Sequence, residues 1–156
     1  MSYLLECEES FDSSHFLKGH KGKCRNLHGH RWRIKYGLKA NELIQSGSSE
    51  GMIIDFSDIK SLIKEYFKVY DHALILTDYK EETLTKEEKN FIQACEDMKF
   101  RIVHVPFRST AENMSKFFFD ELERVLSEKI PSKNFNVHYV TVYETPNNAA
   151  TYGGIN

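Results

Sequence analysis

The sequence predicts an α+β domain, and three observations carry that prediction. Residues 28–38 alternate strictly: His28, His30, Trp32, Ile34, Tyr36 and Leu38 fall on one side, and Gly29, Arg31, Arg33, Lys35 and Gly37 on the other. Period-two alternation of that quality is a strand with one buried face. From Asp55 onward, apolar residues recur at 56, 59, 62, 63, 66 and 67, which is helical spacing. After a further, longer helical stretch the alternation returns in "NVHYVTVYE", residues 136–144, so a strand comes back behind the helices.

The remaining elements follow in order. Residues 3–15 read as a first strand, forming a hairpin with 28–38. Asn41 to Gly51, "NELIQSGSSEG", is a loop rich in Ser and Gly, and "GMIID" reads as a short strand. "TKEE" at 85–88 has the capping-box form and opens a helix toward Met98. "RIVHVP" is another short strand. "STAE" at 109–112 is a second capping box, in which Glu112 closes the cap on Ser109. It opens a helix whose apolar positions include 114, 117, 118, 122, 125 and 126. "TPNN" ends the last strand as a turn. No repeat, low-complexity tract or linker divides the chain, so residues 1–156 are expected to form one domain.

Composition narrows the function classes. Aromatic residues make up 13% and charged residues 28%, which suits a packed core and argues against disorder. The formal net charge of −2 gives no global attraction to nucleic acid, and no segment has the length of a membrane span, so neither is expected as a partner. Three cysteines, at 7, 24 and 95, make no disulfide framework, and the opening "MSYLLECEES" is acidic rather than leader-like. The expectation is a reducing, cytoplasmic setting with Cys7 and Cys95 as small buried hydrophobes. One local charge cluster stands out. Lys18, His20, Lys21, Lys23 and Arg25 crowd the run before "LHGH", either as a solvated loop or as a landing site for an anionic substrate.

The chemistry concentrates in "KCRNLHGH", residues 23–30. Histidines at i and i+2 on a strand point to the same side, so His28 and His30 can converge on one ion. His15, at the end of the first strand, would be brought beside them by the hairpin. Three neutral imidazoles suit Zn²⁺ and leave a fourth position for water or substrate. Cys24 could fill that position, making a closed structural site. It could equally be a base, since nearby cations favour its thiolate. "YDHALIL" sets Asp71 beside His72, a pairing that orients an imidazole and stabilises its protonated form. Glu144 continues the Val140 and Val142 side of the last strand, an odd place for a carboxylate unless it faces a ligand. Its two oxygens could receive adjacent N–H groups of a guanine-like ring.

Taken in order, "FDSSH", "KCRNLHGH", "DFSDIK", "YDHALI", "STAENM" and "YETPNNAATY" resemble the motifs of the 6-pyruvoyl-tetrahydropterin synthase family across nearly the whole chain. The resemblance implies a tunnelling fold, with a four-stranded antiparallel sheet carrying helices on one face, and assembly into hexamers built as dimers of trimers with active sites between subunits. It implies zinc held by His15, His28 and His30, and Cys24 as proton-abstracting base rather than ligand. Asp71 and His72 would form a relay, Glu144 would anchor the pterin, and Thr110 and Glu112 would lie near the pterin pocket. Lys21 and Lys23 would supply charge for a triphosphate. The family makes either 6-pyruvoyl- or 6-carboxy-tetrahydropterin. The three-residue gap between Cys24 and "HGH" resembles the carboxy-forming members, which convert 7,8-dihydroneopterin triphosphate to 6-carboxy-tetrahydropterin, acetaldehyde and triphosphate on the route to queuosine. The sequence departs from the family pattern at Ser109, where Pro is common, and at Arg31 and Trp32 after "HGH".

Rival readings are pyruvoyl-tetrahydropterin synthesis on the same residues, a zinc hydrolase that would not need Cys24, and a non-enzymatic, zinc-stabilised assembly module with Cys24 as fourth ligand.

Overall fold

The structure is a computed structural model describing residues 1–154. The first hairpin is its spine. Strand β1 (Tyr3–His15) pairs antiparallel with β2 (His28–Ala40) along their full length, from Tyr3 opposite Ala40 to His15 opposite His28. Alternation then decides the faces. Phe11, Ser13 and His15 on β1, and Trp32, Ile34, Tyr36 and Leu38 on β2, turn inward and are buried. The opposite face carries cross-strand ion pairs: Arg31 with Asp12, Arg33 with Glu8 and Lys35 with Glu6.

Helix α1 (Phe56–Phe67) starts at the N-cap Asp55, whose side chain accepts from the Ser57 N–H at 2.7 Å, and buries Ile59, Ile63 and Phe67. A turn through Asp71 and His72 leads into β3 (Ala73–Thr77), the apolar run that follows this pair. Helix α2 (Lys86–Asp97) opens on the expected capping box of Thr85 and Glu88, and β4 (Ile102–Val105) follows. Helix α3 (Ala111–Lys129) buries Met114, Phe118, Leu122 and Leu126 in the same core as α1 and the inner face of β1 and β2. Strands β5 (Phe135–Thr145) and β6 (Asn148–Gly153) close the chain. The two helices thus cover one sheet face, as the resemblance implies.

The sheet has six strands in the order β4-β3-β1-β2-β5-β6. The expected four-stranded antiparallel unit is present as β1-β2-β5-β6, and β3 and β4 extend it in parallel from the β1 edge. Strand β6 was hidden because "TPNN" is a hairpin turn rather than an end: the chain reverses and pairs back on β5. "GMIID" is not a strand. Its residues make a bend that delivers Asp55 to the helix cap, and Ile53 is buried without strand pairing. The second expected cap is also displaced. Thr110, not Ser109, is the N-cap of α3, and its Oγ1 accepts from Asn113 N–H at 3.4 Å. Ser109 is buried one residue earlier and is used elsewhere.

Gly37 shows how tightly the outer face is filled. A side chain there would collide with the ring of Tyr139, which lies across it and bonds Glu6 through its hydroxyl. At the far end of the sheet, Glu123 on α3 accepts from Lys133 Nζ at 2.6 Å and from the Val137 N–H at 2.7 Å, tying α3 to β5. Burial raises the Glu123 pKa, but the Lys133 ammonium and the Val137 amide outweigh it and hold the carboxyl below its usual range. A depressed carboxyl stabilises the fold above its unfolded pKa of about 4.3, and that contribution is lost as pH falls through the lower folded value. Glu123→Gln is therefore expected to lower stability at pH 7 by about 1–3 kcal/mol, because the Lys133 ammonium is left without its counter-charge. The difference should shrink once pH falls below about 4. Urea unfolding at neutral and acid pH measures both.

Candidate functional site

The ends of β1, β2 and β5 meet on the inner face. His15 ends β1 opposite His28, which begins β2, and His30 stands two residues on. Glu144 lies near the end of β5, beside them. One donor atom from each of these four side chains falls within 4.8 Å of the others. Trp32 is fully buried below, edge-on to both His15 and His30 at centroid distances of 4.9 and 5.3 Å. The departure at Trp32 therefore supplies the floor of the site.

Two of the rings are oriented from behind. His15 Nδ1 lies 3.0 Å from the Ser109 carbonyl and 3.1 Å from the Ser109 hydroxyl, and His28 Nδ1 lies 2.7 Å from the Asn26 carbonyl. A carbonyl can only accept, so Nδ1 carries the proton and Nε2 presents its lone pair forward. The Nε2 atoms of His15, His28 and His30 are all buried without a hydrogen-bond partner. Glu144 Oε1 stands 3.2 Å from His15 Nε2 and 3.4 Å from His30 Nε2. Acceptors so close repel one another unless a proton or a cation lies between them. Three converging, unpartnered Nε2 atoms, a carboxylate oxygen and, behind His15 and His28, carbonyls that fix the tautomer form a donor set that fits a divalent metal.

The electrostatics agree with mutual dependence. The adjacent His15 side chain, with His30 and His28 behind it, holds the Glu144 carboxyl below its usual range against the effect of burial. Burial lowers the pKa of His30, with His15 and His28 adding to the effect and Glu144 opposing it. Both shifts favour an ionised carboxylate facing neutral imidazoles, the state in which a metal is bound.

Cys24 is not in the donor group. It sits in the short turn Lys23–Arg25, half-buried as a free thiol, with its carbonyl accepting from the Leu17 N–H at 2.7 Å. Lys21 and Lys23 are exposed on the same loop. Thr110 and Glu112 occupy the first turn of α3, directly after the Ser109 that contacts His15.

Asp71 and His72 lie elsewhere. His72 Nδ1 is 2.9 Å from Asp71 Oδ2, and His72 is 79% exposed. His72, without Asp71, lines a cleft of about 560 Å³ with Asp12, Ser14, Gly29 and Arg31, which alternation places on the outer sheet face, and the cleft also reaches Ser13 and His30. His72 has a φ of 57°, a left-handed conformation that disfavours a side chain. The turn is held from both sides. Asp12 exchanges backbone bonds with Asp71 Oδ1 and the His72 N–H, and Arg101 Nη1 donates to the carbonyls of Lys68 and Asp71 at 3.0 and 2.8 Å. The Asp12 N–H, then His72, hold the Asp71 carboxyl below its usual range. Arg31, the other departure, forks onto Asp12 at 2.9 and 2.8 Å and steadies that strand.

Sequence reasoning missed three supporting groups: the Ser109 and Asn26 carbonyls and the Arg101 side chain. Backbone carbonyls leave no trace in residue type. Arg101 carried no signal beyond being a charge at the start of a strand.

A second cleft, of about 640 Å³, is lined by His30, Arg33, Tyr143, Glu144 and Pro146 among others, with the Arg33 guanidinium 3.9 Å from the Tyr143 ring centre. It gives the Glu144 carboxylate access to a ligand as well as to the histidines.

A family model described as 6-pyruvoyl tetrahydropterin synthase matches residues 4–154. A protein from Haemophilus influenzae named 6-carboxy-5,6,7,8-tetrahydropterin synthase is 33% identical over 151 residues, 96% of this chain and 98% of that one. A protein of the same name from Rickettsia felis is 33% identical over 147 residues, covering 92% and 96%. Among solved structures, a 6-pyruvoyltetrahydropterin synthase variant from Plasmodium vivax superposes with a TM-score of 0.69 at 23% identity, over 97% of both chains, a likeness of fold.

Proposed function

The chain belongs to the 6-pyruvoyl tetrahydropterin synthase family, and from that membership we propose that it is a zinc-dependent lyase converting 7,8-dihydroneopterin triphosphate to 6-carboxy-tetrahydropterin, acetaldehyde and triphosphate, a step toward queuosine in the cytoplasm. The observation that carries the reading is the convergence of three unpartnered Nε2 atoms, from His15, His28 and His30, beside Glu144, with Cys24 outside the donor group. That geometry favours an open metal site over a closed Cys/His structural one, and so favours an enzyme over an assembly module. The names of the relatives that match over most of the chain favour the carboxy product over the pyruvoyl one.

His15, His28 and His30 would hold the zinc, which when bound supplies Lewis-acid polarisation of the substrate's side-chain oxygens. Cys24, as thiolate, takes the carbon-bound proton. Glu144 accepts the paired N–H groups of the pterin and fixes its orientation, with Thr110 and Glu112 bordering the ring. Lys21 and Lys23 attract the triphosphate from the exposed loop. His72, oriented by Asp71, moves protons to and from the base. The pair makes no hydrogen bond to the histidines of its own chain and His72 is exposed, which supports a site completed between copies in a hexamer built as a dimer of trimers. Incubation with dihydroneopterin triphosphate tests the reading. 6-Carboxy-tetrahydropterin with acetaldehyde is the expected product; 6-pyruvoyl-tetrahydropterin would select the alternative, and simple dephosphorylation would select a hydrolase.

Glu144 invites a separate test, because it faces both the histidines and the cleft. As pterin anchor, Glu144→Gln should retain zinc and weaken neopterin and its triphosphate alike, by about 1–3 kcal/mol for the mismatched donor. Neutralising Lys21 and Lys23 together should weaken only the triphosphate, and less so at high salt, where exposed charges are screened. Calorimetry with both ligands at two salt concentrations separates the roles. Loss of zinc in Glu144→Gln would make the residue a metal ligand instead.

A further inference from the structure

The basic run before the histidines does not act as one unit, because Lys18 is already engaged. Its ammonium donates to the Thr83 carbonyl at 2.9 Å and to Glu88 Oε2 at 2.8 Å, and lies 5.0 Å from the Tyr79 ring centre. Lys18 is 30% exposed and Glu88 is 22% exposed, so the pair is shielded from solvent more than a surface ion pair is. Glu88 Oε2 also accepts from the Thr85 N–H at 2.7 Å, closing the α2 cap. One carboxylate thus ends the helix and receives the loop. A second contact runs alongside: the Phe16 ring meets Phe91 of α2 edge-on at 6.5 Å.

These contacts flank the attachment of the thiol. Leu17, between Phe16 and Lys18, is buried, and its N–H donates to the Cys24 carbonyl at 2.7 Å, while its own carbonyl accepts from the His20 N–H at 3.0 Å. Residues 16–18 are therefore pinned to the segment 79–91 on their far side and hold the Cys24 turn on their near side. The turn has no buried residue of its own, and its other hydrogen bonds, such as Asn26 Nδ2 to the Lys23 carbonyl at 3.0 Å, are local, so its link to the rest of the fold on this side runs through Leu17.

We propose that Lys18 is a positioning residue, and that the segment from Tyr79 through α2 is a clamp setting the place of the Cys24 thiol through Lys18 and Phe16. This deepens the reading of Cys24 as the base, and it removes Lys18 from the charges offered to the triphosphate.

The test reads the thiol without substrate, so it stands or falls separately from the assigned reaction. Alkylation by iodoacetamide is followed residue by residue by mass spectrometry, with metal content measured in parallel. Local opening exposes a held group to reagent. Lys18→Met should accelerate Cys24 alkylation by about three- to tenfold, the range expected when a local closed state is weakened. The sign decides, because only a loosened loop speeds the reaction. Phe91→Ala changes no charge and should accelerate it in the same direction. Lys89→Met on the same helix, which breaks the exposed pair with Glu81 in the turn before it, should leave the rate unchanged. With substrate, Lys18→Met should lower kcat with little change in KM, while metal content holds. Slower alkylation in Lys18→Met together with no change in Phe91→Ala would overturn the proposal, since Lys18 would then act as a charge alone. Acceleration of Cys7 and Cys95 to the same degree would also overturn it, because the loss would then be global.

Discussion

Cys24→Ala is expected to lower turnover by about 10²–10⁴-fold, the usual weight of a positioned acid–base group, while metal content stays at the wild-type level. The two halves of that expectation have separate structural grounds. Metal retention follows from the three converging histidines, His15, His28 and His30, which need no sulfur. Loss of turnover follows from the thiol being the one nucleophilic side chain on the turn Lys23–Arg25. The substitution removes one atom and leaves the backbone bond from Leu17 to the Cys24 carbonyl intact. Metal analysis and product formation on the same sample check both. Metal lost in step with activity would return Cys24 to the ligand shell. Near-normal product formation would favour hydrolysis by a metal-bound water.

How far the sequence could be read follows from which interactions are local. The β1–β2 hairpin was legible apart from the last two residues of β2, because alternation in 28–38 writes the buried face directly and both histidines of "HGH" inherit it. The α2 cap was legible because its partners are three residues apart. The cap of α3 was not. "STAE" and "TAEN" offer rival starts, and the choice was made by a tertiary contact, the burial of Ser109 against His15. Strand β6 failed for a similar reason. Its residues are mostly exposed, so no alternation marks them, and only the backbone ladder to β5 makes them a strand.

The site divides along the same line. The four converging side chains were each visible, yet Glu144 was read as a ligand-facing carboxylate and not as a neighbour of the histidines, since that needs the register of β5 against β2. Asp71 and His72 were visible as a pair, but their separation from the histidine face was not. That separation arises because β3 adds to the sheet in parallel beside Ser13 and Ser14, leaving the preceding turn on the outer side.

Replacing any one of His15, His28 and His30 by Ala should abolish turnover and weaken zinc binding by at least about 100-fold, beyond the roughly 10–100-fold that loss of a ligand's outer partner brings. The three variants should differ in what remains. His28 is partly exposed and anchored only to the nearby Asn26 carbonyl, so His28→Ala should leave the metal-free fold almost unchanged. His15 is fully buried, and its loss opens a void above Trp32 and strips the Ser109 carbonyl of its donor. An unpaired buried acceptor costs about 1–3 kcal/mol, so His15→Ala should destabilise the chain even with chelator present. Denaturation with and without chelator then sorts the contributions. Wild type should gain stability from zinc as the ion binds only the folded state, His28→Ala should gain none, and His15→Ala should start lower and gain none. Wild-type zinc affinity in His28→Ala would show that the convergence of the three rings does not hold the metal.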